Sequence, residues 1–214
     1  MARIAVIGGT GYAGAHIVTE GVQRGHTVVS VARSLPAERA EHATYVEGTL
    51  LDVPSLVQEL EGVDVVVISV PGRGDMLGNV RPAVAELVRE LPARVRIGVV
   101  GGAGGTLIAP GGPRLIDTPE FAESAKPEAS EAIGILDDLR GDDVGRDWFY
   151  IHPAGGFGAW NPGERTGTYR DGGDVLVVDD RGGESYISGA DFAIAVLDEI
   201  ENPKHVRERF SVGY

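Results

Sequence analysis

Apolar positions along this chain fall into short runs parted by polar, turn-rich stretches. Runs rich in β-branched residues predict strands at Ala2–Ile7, Thr27–Ala32, Ala43–Val46, Val63–Val70 and Arg94–Val100. Helix-like runs separate them, at Tyr12–Arg24, Val53–Leu60 and Val80–Leu91, with a short helical turn near Pro36–Glu41. Asp52 suits the N-cap of the second full helix, and Pro54 suits its first turn. Val65-Val-Val-Ile68 is continuously apolar, as expected of a strand covered on both faces. The alternation of strand and helix predicts an α/β chain: a Rossmann-type, doubly wound parallel sheet with right-handed crossovers.

The second half is less regular. A glycine-rich loop, Gly101–Asp117, precedes a long helix that Thr118-Pro-Glu opens and that reaches about Arg140. A sixth strand is expected at Trp148–Ile151, and His152–Gly173 should be irregular and project over the strand ends. Val175–Val178 and Glu184–Ile187 are expected to pair as a hairpin around Arg181-Gly-Gly183. Ser188-x-x-Asp191 resembles a capping box and opens a helix to about Ile200, and Arg209–Val212 adds a last strand. The expectation is one domain over 1–214, in which residues 152–190 form a small substrate-side lobe.

Composition narrows the function classes. A chain of 214 residues can bury one substantial core. It contains no cysteine, which removes disulfides, thiolate metal sites and cysteine nucleophiles, and no metal site is expected. The chain enters a strand at residue 2 without a signal-peptide layout, and no apolar run approaches the ~20 residues of a membrane span, so a cytoplasmic location is the default. A net charge of −13 argues against nucleic acid or an anionic membrane as partner. An anionic ligand would therefore need local positive groups, and Lys126 and Lys204 are the only lysines.

The most informative motif is Gly8-Gly-Thr-Gly-Tyr-Ala-Gly14, set between a strand and a helix. That context marks a dinucleotide-binding turn. Early glycines permit the tight turn, Gly11 lets a pyrophosphate approach the backbone, and Gly14 lets helix and strand pack closely. Thr10 and Tyr12 belong to the same cradle, whose helix N-terminus attracts phosphate. A glycine turn chosen only for packing is the bland alternative. The second strand ends Ala32-Arg-Ser34 with no acid to take a ribose 2′-hydroxyl. Arg33, with Ser34, suits a 2′-phosphate, which favours NADP(H) and leaves NAD(H) open. The structural alternative for Arg33 is an exposed strand-end arginine. Thr49 and Leu50 are placed near the adenine, where Asp52 reads first as a helix cap. Ser69-Val-Pro-Gly72 either lines the nicotinamide ribose or simply turns the chain.

These motifs, with Asn161-Pro-Gly-Glu-Arg-Thr-Gly167, Asp191, Glu201-Asn-Pro203 and Arg209-Phe-Ser-Val-Gly-Tyr214, resemble the atypical short-chain dehydrogenase/reductases. Within these the chain is similar to NmrA-like proteins and to the group provisionally labelled NADH-flavin reductases, related to biliverdin reductase B. The resemblance covers essentially the whole chain and implies a Rossmann fold, NAD(P)H binding and reduction of a flavin, quinone or similar acceptor.

The usual short-chain dehydrogenase places a catalytic Tyr-x-x-x-Lys on the long helix. No tyrosine here has a lysine four residues on, and Ala122 stands four before Lys126. Lys126 can still hold the nicotinamide ribose, or it is an exposed helix lysine. Carbonyl reduction makes a basic alkoxide that needs a nearby acid, whereas a reduced flavin or quinone is a weakly basic anion. His152 and Lys126 are the candidate catalytic residues, Pro153 joins the cofactor set, and Arg73, Phe157 and Trp160 are candidate substrate contacts. Each has a structural alternative: a hydrogen-bonded core histidine, packing within the lid, or a surface arginine. Three functions follow: an NADPH-dependent reductase of a flat conjugated acceptor, a non-catalytic NAD(P)(H) sensor that binds a protein, or a biosynthetic ketoreductase or epimerase with a displaced acid such as His152 or Tyr150. The chain is expected to act as a monomer or homodimer on a small molecule.

Overall fold

The computed structural model describes residues 1–141, 145–179 and 183–214. Its elements run β1 (Arg3–Ile7), α1 (Tyr12–Gln23), β2 (Thr27–Ala32), β3 (Thr44–Glu47), α2 (Val53–Glu59), β4 (Val65–Ile68), α3 (Val80–Glu90), β5 (Arg96–Val100), α4 (Lys126–Arg140), β6 (Trp148–His152), β7 (Arg170–Gly173), α5 (Gly189–Glu201) and β8 (Glu208–Gly213). They form one eight-stranded sheet in the order β3-β2-β1-β4-β5-β6-β8-β7. Every pairing is parallel except β7 with β8. The order reverses between β1 and β4, and the crevice at such a reversal is where open α/β sheets bind ligands.

Period-two alternation sorts the strand residues onto two faces. Ala5 and Ile7 join Val29, Val31, Val66 and Ile68 under α2, α3 and α4. Ile4 and Val6 join Val28, Val65, Val67 and Phe149 under α1 and α5. All four residues of β4 are buried, which is why its sequence lacks polar alternation. Layers of this kind fix the carboxyl ends of β1, β2, β4, β5 and β6 along one rim, above which the long connections run.

Four expectations are corrected. No helical turn forms near Pro36–Glu41, where the chain bends without a helix. That run offers no apolar face to offset the cost of nucleating a helix. The long helix opens at Lys126, not at Thr118. Thr118 Oγ1 instead donates to the Leu115 carbonyl at 3.0 Å. A helix opening at Thr118 would set Pro127 in its interior, whereas opening at Lys126 keeps that proline in the first turn. A strand, β7, forms inside the stretch expected to be irregular, antiparallel to β8. The expected hairpin does not form a ladder. Asp179 N–H donates to the Glu184 carbonyl at 2.8 Å, Ser185 Oγ donates to that of Val177 at 2.6 Å, and Val175 bridges to Leu107. Of its turn, Arg181 and Gly182 lie outside the described residues.

Ser188 does cap α5, its Oγ accepting from Asp191 N–H at 3.1 Å. The reciprocal half of a capping box is absent. The Asp191 carboxylate turns to the 161–167 segment, accepting from Thr166 N–H and Oγ1 at 2.8 Å each and from Gly167 N–H at 2.9 Å. Tyr214 OH also donates to it. Burial alone would raise the Asp191 pKa; these donors outweigh burial and hold it below the usual carboxylate range. One buried charge thus ties the C-terminus and the 161–167 segment to α5.

Candidate nucleotide and acceptor site

The corner between β1 and α1 is built from close backbone approaches. Gly8 has a φ of +82°, and a Cβ there would stand 2.3 Å from the Ser69 carbonyl oxygen. A Cβ on Gly14 would stand 2.1 Å from the carbonyl oxygen of Gly8. The turn is pinned to the sheet by Gly8 N–H donating to the Val31 carbonyl at 2.8 Å. Gly11 is the N-cap of α1 and offers no side chain to its first turn, which carries no acid. By contrast Asp52 Oδ1 accepts from Ser55 N–H at 3.3 Å and caps α2, the role expected of it. The opening of α1 keeps its N–H groups and positive end for a ligand.

A cleft runs from this corner in two joined compartments. The first, of about 250 Å³, is lined by Gly8, Thr10, Gly11, Arg33, Thr49 and Leu50 on one side and by Ser69, Val70, Pro71, Arg73 and Met76 on the other. The second, of about 570 Å³, shares Gly11, Ser69, Val70, Pro71 and Arg73 with it. It continues past Tyr12 and Gly72 to Pro153, Phe157 and Trp160. Of the residues expected to bind cofactor, only Gly14, Ser34 and Lys126 line neither compartment. Gly14 lies packed beneath the turn, and Ser34 is exposed beyond Arg33.

Tyr12 fixes the far compartment. Its OH accepts from Gly189 N–H at 2.8 Å and donates to the Pro162 carbonyl at 3.0 Å, joining α1, α5 and the segment beyond Trp160. Burial raises its pKa. Phe157 packs edge-on to Tyr12 with ring centroids 5.2 Å apart and lies 4.6 Å from Phe192. Trp160 stands at the rim, 75% exposed. On the opposite wall stand Phe121, Glu128 and Glu131, which no sequence motif marks. Glu131 accepts from Gly78 N–H at 2.8 Å and Arg81 N–H at 3.0 Å, so a residue of α4 caps α3. Ala125, Ala129 and Ala132 recur at helical spacing on this wall. That signal becomes legible once Pro127 sets the start of α4.

The two candidate catalytic residues stand elsewhere. Lys126 Nζ is ion-paired with Glu123 and does not line the cavity. His152 is 1% exposed and also does not line it. Its Nδ1 lies 2.7 Å from the Gly102 carbonyl, which can only accept, so Nδ1 carries the proton. Burial pushes its pKa down to about 4, so the ring is neutral near pH 7. Tyr150 lines the cavity floor, but its OH donates to the Ala132 carbonyl at 2.9 Å, and burial raises its pKa. His152→Asn should therefore lower the melting temperature while any catalytic turnover stays within about threefold of wild type, less than the roughly hundredfold contribution expected of a general acid. A hundredfold fall in kcat with unchanged stability would restore His152 to the chemistry.

A family model described as NAD(P)H-binding matches residues 8–203. The chain belongs to this NAD(P)H-binding family. It is 35% identical to the Bacillus subtilis protein YwnB over 214 residues, covering 98% of this chain and 97% of YwnB. A Streptococcus pneumoniae protein provisionally described as an NADH-flavin reductase is 34% identical over 100% of this chain and 99% of its own, with a TM-score of 0.85. A Bacteroides thetaiotaomicron protein provisionally described as an epimerase is 32% identical over 100% of this chain and 97% of its own, with a TM-score of 0.84. The fold and the resemblance to atypical short-chain dehydrogenase/reductases stand on these matches. Among the described residues no helix is long and apolar enough to cross a membrane.

Proposed function

We propose that this chain is an NADPH-dependent reductase that passes hydride to a flat conjugated acceptor of the flavin or quinone type. One observation carries the choice of acceptor: among the described residues no tyrosine, histidine or lysine is placed to give up a proton in the second compartment, whose charged lining residues are Arg73, Glu128 and Glu131. Tyr12 and Tyr150 are hydrogen-bonded to backbone groups, and His152 and Lys126 do not line the cavity. A delocalised product anion needs no protein acid, whereas an alkoxide does. The ketoreductase or epimerase alternative leans on His152 or Tyr150 as the displaced acid; His152 lies outside the cavity, and the Tyr150 hydroxyl is engaged by the Ala132 carbonyl.

The residues present fit a dinucleotide. The uncapped N-terminus of α1 and the side-chain-free surface of Gly11 suit the diphosphate. Thr49 and Leu50 border the adenosine end, and Arg33 takes the 2′-phosphate in a fork of hydrogen bonds. Ser69, Val70, Pro71 and Gly72 lead the nicotinamide half into the second compartment, where Pro153 borders it. Bound there, the cofactor supplies the hydride. The chain's own part is to orient the ring, to exclude water with residues 153–160 and to offer Phe157 and Trp160 as stacking surfaces for the acceptor. Arg73, at the junction of the compartments, contacts the acceptor or the diphosphate.

Steady-state NADPH oxidation with riboflavin, FMN, quinones and biliverdin tests this function. Turnover with a flavin or quinone and none with simple ketones is the expected outcome. Tight nucleotide binding without turnover on any acceptor would replace it with a non-catalytic sensor. Arg33→Ala should weaken NADPH binding about ten- to a hundredfold, the value of a charge-assisted hydrogen bond, and barely change NADH. Equal losses for the two cofactors in calorimetry would remove Arg33 from the phosphate role.

A further inference from the structure

Arg33 does not face the cleft alone. Asp75 Oδ2 is ion-paired with Arg33 Nη1 at the mouth of the first compartment. Asp75 sits in the short 3-10 turn Gly74–Met76, which follows β4. The backbone of that turn is well held. Arg73 and Met76 on either side line the compartment, Met76 is buried, and Asn79 Nδ2 donates to the Asp75 carbonyl at 2.9 Å. The two charged groups themselves are loose: the Arg33 and Asp75 side chains are 59% and 66% exposed.

We propose that Asp75 is a specificity-determining residue. It occupies on Arg33 the place that a 2′-phosphate would take, and so it narrows the preference for NADPH over NADH. This inference rests on the nucleotide function given above. A carboxylate and a phosphate each present two oxygens to the planar fork of a guanidinium, so they compete for the same donors. An ion pair between two exposed groups is weak, and a phosphate monoester carries close to two negative charges, so NADPH displaces Asp75 rather than being excluded by it. The displaced carboxylate stays near, because its backbone is fixed, and repels the phosphate that replaced it. NADH brings a neutral 2′-hydroxyl and leaves the pair intact. Sites that prefer NAD carry an acid about 20 residues past the glycines. The end of β2 has none, but the fold delivers one from a different connection, 42 residues along the chain from Arg33.

Calorimetric titration of wild type, Asp75→Ala, Asp75→Asn and the Arg33→Ala/Asp75→Ala pair with NADPH and with NADH tests the proposal. Both side chains are exposed, so the variants should melt with wild type. Asp75→Ala is expected to tighten NADPH about three- to tenfold, the gain from losing a weak competing pair and a nearby like charge, with NADH unchanged. Asp75→Asn should move in the same direction by less. The gain should shrink in the double variant, where there is no guanidinium left to release. Should Asp75→Ala shift neither cofactor, or both by one factor, the role of Asp75 falls while dinucleotide binding stands. Should wild type bind neither cofactor, the nucleotide function fails and takes this inference with it.

Discussion

Gly14→Val is expected to abolish dinucleotide binding, lowering affinity at least about a hundredfold by calorimetry, and to cost roughly 1–3 kcal/mol of stability. The reason is local. A Cβ on Gly14 would meet the Gly8 carbonyl oxygen at 2.1 Å, the Gly8 carbonyl carbon at 2.8 Å and the Gly9 Cα at 2.9 Å. All three are backbone atoms of the glycine turn, so no side chain can rotate out of the way. Either α1 lifts off β1 or the turn deforms, and either displaces the uncapped N–H groups from the ligand. Gly21→Ala separates this from general damage to the same helix. A Cβ there would come 2.9 Å from Val28 Cγ2, a side-chain atom under the other end of α1. That variant should lose stability but keep nucleotide affinity. Undiminished NADPH binding by Gly14→Val would mean that the corner does not hold the diphosphate.

The strands and helices of the nucleotide half were legible because each carries its own signal. Val65-Val-Val-Ile68 announces a doubly covered strand, and Asp52 with Pro54 announces the start of α2. The glycine spacing foretold the turn because positive φ and close approach leave no other residue type there. The start of α4 was also written in the chain, in Pro127, but Thr118-Pro-Glu imitates a helix opening and masks it. β7 was not legible: Arg170-Asp-Gly-Gly173 has no apolar alternation, and only pairing with β8 makes it a strand. Site geometry divides in the same way. Gly8, Gly11 and Arg33 follow from local pattern. Glu131 capping α3 and Asp75 reaching Arg33 are contacts between residues 42 to 53 apart in sequence, set by strand order, and no local spacing encodes them. His152 shows the converse. A histidine at a strand's carboxyl end invites a catalytic role, yet the residue's partner, Gly102, lies on the neighbouring connection and draws the ring under the loop.

Glu199→Ala should be the most destabilising single change outside the cleft, at about 3–5 kcal/mol, because it strands a buried cation. Arg96 is 7% exposed and Glu199 3%. Arg96 Nη2 meets Glu199 Oε1 at 2.7 Å, and its Nη1 donates to the Glu199 carbonyl at 2.6 Å. The carboxylate also accepts from His205 Nδ1 at 2.8 Å and from the N–H groups of Lys204 and His205 at 3.2 and 3.1 Å. Arg96 further meets Asp147 at 2.9 Å and lies over the Phe149 ring. Without the Glu199 carboxylate the guanidinium keeps the carbonyls of residues 199 and 205 and the half-exposed Asp147 but loses its buried counter-charge. For a chain of this size the melting temperature should fall by roughly 10 °C. Arg96 opens β5 at the amino ends of the strands, away from the cleft, so NADPH affinity measured in the cold should be unchanged. Acid separates the contributions. Burial tends to raise the Glu199 pKa, but the donors, Arg96 first, overcome it and hold the pKa below its ordinary 4.5. Its stabilising part is complete above pH 4.5 and is lost as pH falls through the lower folded value. His152 has the same sign in an earlier window. The unfolded chain binds its proton near pH 6.5 and the folded protein only at about 4, so stability declines from 6.5 downward. Urea titrations across pH should show Glu199→Ala parallel to wild type between about pH 6.5 and 5, then flatter below, while His152→Asn reduces the earlier slope and leaves the part due to His16, whose pKa burial also lowers. A Glu199→Ala protein as stable as wild type at pH 7 would show that the buried pair contributes no more than its desolvation takes away.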